Sequence, residues 1–412
     1  MAALARERHI GGGGLGQRNE EADHGGFLTQ EGEGRPEDSA GPARTPAHMR
    51  PGPSFSGRAA PTVSHRGGTR GRASCYGPRA PMSTFVIEST RSGFVESLHT
   101  VSVAVVSAEG SLVASAGDPD RATFWRSAAK PFQSLPMVQD GAADRFGFGP
   151  RELALACASH SSEPVHRALA MRMLAASGCD ERDLACGPHP SLSPAVAEEA
   201  LKAGVVLTPR WNNCSGKHAG MLALARHHGW DLQGYASAGH PVQERIQDEI
   251  AKWTGLPRDA LVTGVDGCVA VCFGLPLRAM ATGWARFGIS EDPAARRLRE
   301  AMLAHPELVA GKGRACTDLM TAFRGEAVVK IGAEGVYCAA LPRARLGIAL
   351  KVEDGDARCA TPALLAVLRA LADPHGLSLP MTGLEHHAEP RLLNTRNEVV
   401  GSLRAAGALG FV

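Results

Sequence analysis

The sequence predicts an α+β fold in which one antiparallel sheet draws strands from both ends of the folded region while helices fill the middle. Three observations carry this. Period-two patterning or short β-branched runs occur near residues 86 to 115 and again from 327 to 352. The stretch between them carries helical punctuation almost throughout. Consecutive βαβ units would instead alternate strand with helix along the chain.

In order, structure opens at Val86-Ile87. Leu98 to Val106 and Leu112 to Ser115 flank Glu109-Gly110, and alternation on both sides of a Gly-containing turn predicts a hairpin. A helical block follows: Ser127 to Gln139, Pro150 to Ala158, Pro164 to Ser177, Pro194 to Gly204, Cys214 to His228 and Pro241 to Thr254. Several open with proline, whose missing N–H is no loss in a first turn that has no intrahelical partner for it, and close at glycine. Asp292 to His305 and Arg314 to Arg324 continue the block. Ala327 to Ile331, Gly335 to Leu341 and Leu346 to Val352 read as three strands, and Thr361 to Ala372 as a last amphipathic helix. No internal repeat is visible.

Composition bounds the rest. Of the 412 residues 44% are hydrophobic, ample for a core. Residues 1–82 do not share that character: rich in Gly, Arg, Pro, Ser and Glu, they cannot bury enough apolar surface to offset the entropy of ordering, and are expected to be a disordered tail ahead of one catalytic domain at 83–412. Met82 heads the patterned region, so an upstream start is one account of the tail. A targeting segment is the other, although the tail has no apolar h-region and many acidic residues. The net charge of +2 and the lack of a basic face interleaved with aromatics argue against nucleic acid, and no apolar run is long enough to span a bilayer. Ten cysteines without dense spacing suggest free thiols in a reducing cytoplasm.

The chemistry begins at Ser127-Ala128-Ala129-Lys130. Serine is a weak nucleophile until a base takes its proton, and residues three apart on a helix face the same way, so the pair is a nucleophile and a base in waiting. The spacing alone is common on solvated helices. Cys157-Ala158-Ser159-His160-Ser161 places a serine-rich break between two helical runs, where a second active-site hydroxyl could sit, though a helix-cap serine is the ordinary alternative. Lys330-Ile331-Gly332 lies on a predicted strand and is similar to the Lys-Thr-Gly strand facing the Ser-x-x-Lys helix of serine β-lactamases and penicillin-binding proteins, with a different middle residue and without their Ser-Asp-Asn element.

Taken together, Arg126-Ser127-Ala128-Ala129-Lys130-Pro131-Phe132-Gln133, Cys157 to Ser161, Asn212-Asn213-Cys214-Ser215-Gly216-Lys217-His218-Ala219-Gly220-Met221, Asp266-Gly267-Cys268 and Lys330 to Gly335 resemble the asparaginase II family, the rhizobial or thermolabile type. The resemblance covers roughly residues 84 to 412. It implies a β-lactamase/penicillin-binding-like fold, a homodimer, hydrolysis of L-asparagine to aspartate and ammonia, and zinc held by Cys214, Lys217 and Cys268 beside the catalytic serines.

Within that frame Ser127 is the expected nucleophile and Lys130 its base. Lys330, a second cation nearby, would favour the neutral amine and pair with Ser159 to relay the proton to the leaving amine. Which serine carries the acyl group stays open. Arg126 and Arg314 are candidates for the substrate α-carboxylate, Asp266 and Glu334 for its α-ammonium; Asp266 could equally orient Lys217. Unaided, two cysteines far apart in sequence would pass for core residues, and a lysine ligates only as a neutral amine. Cys272 and His218 are weaker ligand candidates, and His99 and His160 are as readily structural as catalytic. Two alternatives remain: a β-lactamase or penicillin-binding-like serine hydrolase, and a non-catalytic zinc-containing binding protein. The missing Ser-Asp-Asn disfavours the first, the intact Ser-Lys pairs the second.

Overall fold

The computed structural model describes residues 84–412; the expected tail at 1–82, with Cys75, lies outside the described residues. Strands β1 (Phe85–Arg91), β2 (Phe94–Ser107) and β3 (Leu112–Ala116) open the fold. After the short β4 (Ala122–Phe124) come helices α1 (Lys130–Gln139), α2 (Ala142–Arg145), α3 (Pro150–Ala156), α4 (Pro164–Ala176), α5 (Pro194–Lys202), α6 (Ser215–His228) and α7 (Pro241–Thr254). Strands β5 (Val262–Val265) and β6 (Val271–Pro276) precede helices α8 (Leu277–Ile289), α9 (Pro293–Ala304), α10 (Pro306–Val309) and α11 (Ala315–Phe323). Strands β7 (Val328–Ile331), β8 (Val336–Leu341) and β9 (Leu346–Val352), helices α12 (Ala357–Ala372) and α13 (Glu385–Ala388), and strands β10 (Arg391–Leu393), β11 (Val399–Gly407) and β12 (Gly410–Phe411) complete the described chain.

The expected antiparallel sheet drawn from both ends is present, in the order β10-β11-β1-β2-β9-β8-β7, with β3 on β2 and β12 on β3. Strand β1 is held between β2 and β11, Phe85 facing Gly407, and β2 runs against β9 from Val101–Val352 to Ser107–Leu346. Every residue of β8 and β9 is buried, as a strand covered on both faces must be, and α8 and α12 both pack on them. The smaller sheet β4-β6-β5 stands apart and carries the loop with Asp266 and Cys268.

Several elements depart from expectation. Helix α8 was not anticipated: Gly283 and Gly288 weaken its propensity, but it buries a nearly continuous surface against the sheet, and packing outweighs propensity. Strands β4, β5 and β10 to β12 are short or largely exposed, β6 is buried along its length, and none of them shows strong alternation. Beneath α1, Phe132 meets Trp125 at 4.7 Å between centroids and also contacts Trp253, Trp284 and Phe287. Such pairs contribute about 0.5–1.5 kcal/mol each beyond burial, and together they anchor the start of α1.

Candidate active site

Ser127 does not lie inside an α-helix. It sits on a 3-10 turn, Arg126–Ala129, that leads into α1, and the Lys130 N–H donates to its carbonyl. Residues i and i+3 eclipse on such a turn, so Ser127 and Lys130 still share a side. The Trp125 N–H donates to Phe273 O of β6 at 2.8 Å, and Arg126 adopts a left-handed φ of 53°. Ser127 is half-buried, and its hydroxyl has no hydrogen-bond partner among the described residues.

Ser159 follows the end of α3 in a buried segment, its N–H donating to Val309 O at 2.9 Å. Its hydroxyl receives Lys130 Nζ at 2.9 Å and Lys330 Nζ at 2.9 Å. Lys130 also donates to Ala158 O at 2.5 Å and Lys330 to Ile331 O at 2.8 Å. The amine of Lys130 is therefore bonded to Ser159 and Ala158, not to Ser127. Both lysines are 1% exposed. Burial, with Lys130 and Arg314 adding like charge, lowers Lys330 to about 7, so near neutrality it can exist as a free amine. Gly332 makes the approach possible: a Cβ there would stand 3.1 Å from both Trp125 O and Val336 Cβ, so any larger residue would press the Lys330 strand off the Ser127 turn.

Charged groups rim this centre. Arg126 Nε donates to Asp266 Oδ1 at 2.9 Å and its Nη1 lies 3.9 Å from Glu334 Oε1. Arg314 donates to Ser161 Oγ at 3.0 Å, and Ser161 passes its own proton to Ala310 O at 3.0 Å. Glu334 and Val269 join Arg126 at positive φ, 58° and 67°; for a β-branched valine this is strain, and it falls on the residue after Cys268.

Cys214 precedes α6, Lys217 lies in its first turn and Cys268 comes from the loop between β5 and β6, yet the three meet. Lys217 Nζ donates to Cys268 Sγ at 3.1 Å, and the Cys214 thiol, whose own proton goes to Asn213 Oδ1, lies close enough to Cys268 for the two sulfurs to influence each other's ionisation. All three are buried, at 5%, 2% and 4% exposure. The neighbouring Cys214 thiol and the Lys217 ammonium hold Cys268 below the ordinary thiol range. Gly216 sets the helix here: a Cβ would lie 2.5 Å from Leu155 O at the end of α3, so α6 touches the segment leading to Ser159 only because position 216 has no side chain. Two thiols and an amine that meet in a buried cluster are a donor set suited to zinc, so the residues fit the metal that the resemblance implies.

The accessory residues divide. His218 Nδ1 lies 2.7 Å from Tyr235 Oη and the ring lies against Cys268, whereas Cys272 is buried on β6, within reach of the charges of Asp266 and Arg126. His160 is held within the core: Nδ1 accepts from the Ser162 N–H, Nε2 meets Ser215 Oγ at 2.9 Å, and its ring stacks on His166. His99 bonds Asp354 and belongs to none of these contacts. Ser161 and Asn213, whose Oδ1 accepts from Cys214 Sγ at 2.9 Å, lie within the motifs that carry the family resemblance, and those motifs alone assign neither a role. His189, which accepts the Asn213 N–H at 2.9 Å, had no sequence signal at all.

Among solved structures the chain is similar to a protein described as Mglu (17% identity over 68% of this chain and 67% of that one, TM-score 0.31). It is also similar to a β-lactamase from Mycobacterium bovis (12%, 66% and 93%, TM-score 0.31) and a mutant simvastatin synthase from Aspergillus terreus (11%, 61% and 86%, TM-score 0.28). Likenesses this slight carry no weight for function. No curated protein matches the chain. The sequence model of the L-asparaginase II family matches residues 87–405, a span that includes every residue of the site, and by that match the chain belongs to the L-asparaginase II family.

Proposed function

We propose that this protein hydrolyses L-asparagine to L-aspartate and ammonia through an acyl-serine intermediate. The observation that carries the reading is a serine hydroxyl, Ser159, held 2.9 Å from each of two buried lysine amines, one of which, Lys130, follows on the same turn as a second serine, Ser127, whose hydroxyl has no hydrogen-bond partner among the described residues. Membership of the family supplies the substrate class. Ser127 attacks the carboxamide carbon, and its proton moves to the neutral amine available in the Lys130/Lys330 pair. Ser159, bonded to both amines, passes a proton onward to the amide nitrogen, so ammonia leaves as the tetrahedral centre collapses to the ester. Water then follows the same route in reverse and releases aspartate. Arg126 and Arg314 attract the α-carboxylate, while Asp266 and Glu334 balance Arg126 and accept the α-ammonium. Cys214, Lys217 and Cys268 would hold zinc, which when bound would supply a Lewis-acidic centre with a fourth position open to water or substrate.

Ammonia release from asparagine, glutamine and a chromogenic cephalosporin separates this reading from a β-lactamase-like hydrolase and from a non-catalytic binder. Ser127→Ala should lower turnover by ~10⁴-fold or more if the acyl-enzyme route is lost. Ammonia from no amide would defeat the proposal, and wild-type-like turnover in Ser127→Ala would remove that serine from the mechanism.

A further inference from the structure

At the N-terminal end of α12, a ring nitrogen of His99 on β2, a carboxylate oxygen of Asp356 and the sulfur of Cys359 lie within 4.8 Å of one another. None of the three takes part in the reaction above. His99 is nine-tenths buried, its side chain 10% exposed. Its Nδ1 stands 2.6 Å from Asp354 Oδ2; a carboxylate only accepts, so in the neutral ring Nδ1 carries the hydrogen and Nε2 keeps its lone pair. That Nε2 is buried and has no hydrogen-bond partner among the described residues. Cys359 is a fully buried free thiol. A carboxylate fixing one ring nitrogen while the other stands free is the arrangement that orients metal-binding histidines.

We propose that His99, Asp356 and Cys359 bind a divalent cation of the zinc class, with water as the fourth ligand and Asp354 as the group that orients His99. Imidazole, thiolate and carboxylate together suit zinc or cobalt and reject magnesium and calcium, which take oxygen donors. Ligand atoms at 2.0–2.3 Å from zinc in a tetrahedral site stand about 3.3–3.7 Å apart, so closure needs only a small contraction. The other charges facing the group are Arg358, which pairs with Asp356 from a largely exposed position, and the positive end of α12. Asp354, Asp356 and an ionised Cys359 outweigh both. On binding, the Cys359 S–H bond gives its proton to solvent and a sulfur–metal bond forms. The metal would pin β2 to the start of α12.

The test is independent of the zinc assigned beside the serines. In the full chain carrying Cys214→Ser and Cys268→Ser, Co²⁺ should bind at one equivalent, produce a near-ultraviolet thiolate charge-transfer band and raise the thermal transition. Adding Cys359→Ser should remove the band, and Asp354→Asn should weaken binding by ~10–100-fold. If that background does not fold, the count moves to the parent chain, where Cys359→Ser should lower bound cobalt by one equivalent. Asp354→Asn, at a half-exposed position, covers the case in which Cys359→Ser is itself unstable. No thiolate band at saturating cobalt, a band that survives Cys359→Ser, or unchanged affinity in Asp354→Asn would overturn the proposal.

Discussion

Replacing Lys330 by methionine isolates the cost of burying its charge. The side chain is 1% exposed, and its ammonium is displaced from the usual lysine value of 10.5 to about 7, chiefly by burial and then by Lys130 and Arg314. Between those limits the unfolded chain holds one proton more than the folded one, so this group's contribution to stability rises with pH by about 1.4 kcal/mol per unit. Below pH 7 both states are protonated and the full penalty applies, roughly 5 kcal/mol as an upper bound. Methionine keeps the length and removes the charge, but gives up hydrogen bonds to Ser159 Oγ and Ile331 O, each worth about 1 kcal/mol net. Lys330→Met should therefore be more stable than the parent at pH 7 by a few kcal/mol, and the gap should narrow steadily towards pH 9. Urea unfolding of both proteins at half-unit steps from pH 6 to 9 reads this directly, because other titrating groups cancel in the difference. A gap that stays constant from pH 7 to 9 would refute the assignment of a displaced Lys330. In the same series the variant should be inactive, and the parent's kcat/KM should fall about tenfold per unit below pH 7 if the amine takes a proton in catalysis.

Three further tests bear on the surroundings. Gly216→Ala drives a Cβ into the backbone of Leu155 and should destabilise the protein by about 1–3 kcal/mol or more while lowering activity, read by thermal unfolding and ammonia release; a neutral effect would mean that α6 does not need its close approach. Val269→Gly removes a left-handed valine that is a little under half exposed, so it should stabilise by ~1 kcal/mol while loosening the Cys268 loop, and a lowered melting temperature would count against stored strain there. Elemental analysis of chelator-free protein should show Cys214→Ser and Cys268→Ser each losing one equivalent of zinc, with affinity in the parent falling as pH drops and protons compete for the donors; unchanged zinc in both variants would leave these thiols as core residues.

Helix positions were legible because proline and glycine punctuate them: Pro164, Pro241 and Pro293 each open a helix as local chemistry dictates. Helix α8 was not, since its reason for existing is the sheet beneath it and not its own residues. The same division runs through the site. Motifs singled out Ser127, Ser159 and Lys330, but nothing local reveals that Lys130 turns to Ala158 O and Ser159 instead of Ser127, because that depends on where α3 stops. The meeting of Cys214, Lys217 and Cys268 was expected only through the family pattern, as spacing across separate elements carries no geometry. His99 drew attention as a histidine, yet its partner Asp354 is 255 residues away and its significance lies wholly in the tertiary fold.

Because β1 is clasped between β2 and β11, and β2 must wait for β9, the sheet cannot close while the chain is still being synthesised. Ser127 and Lys130 leave the ribosome long before Lys330, and until α8, β9 and β11 follow, the apolar residues of β1 and β2 lack the elements they pack and pair with. The nascent protein thus carries half a proton relay on an unfinished scaffold, exposed to aggregation and dependent on pairings of very long sequence separation that form slowly. A ribosome stalled anywhere before β7 yields an inert product, so activity arises in one step, after the last strands are available to lock the first.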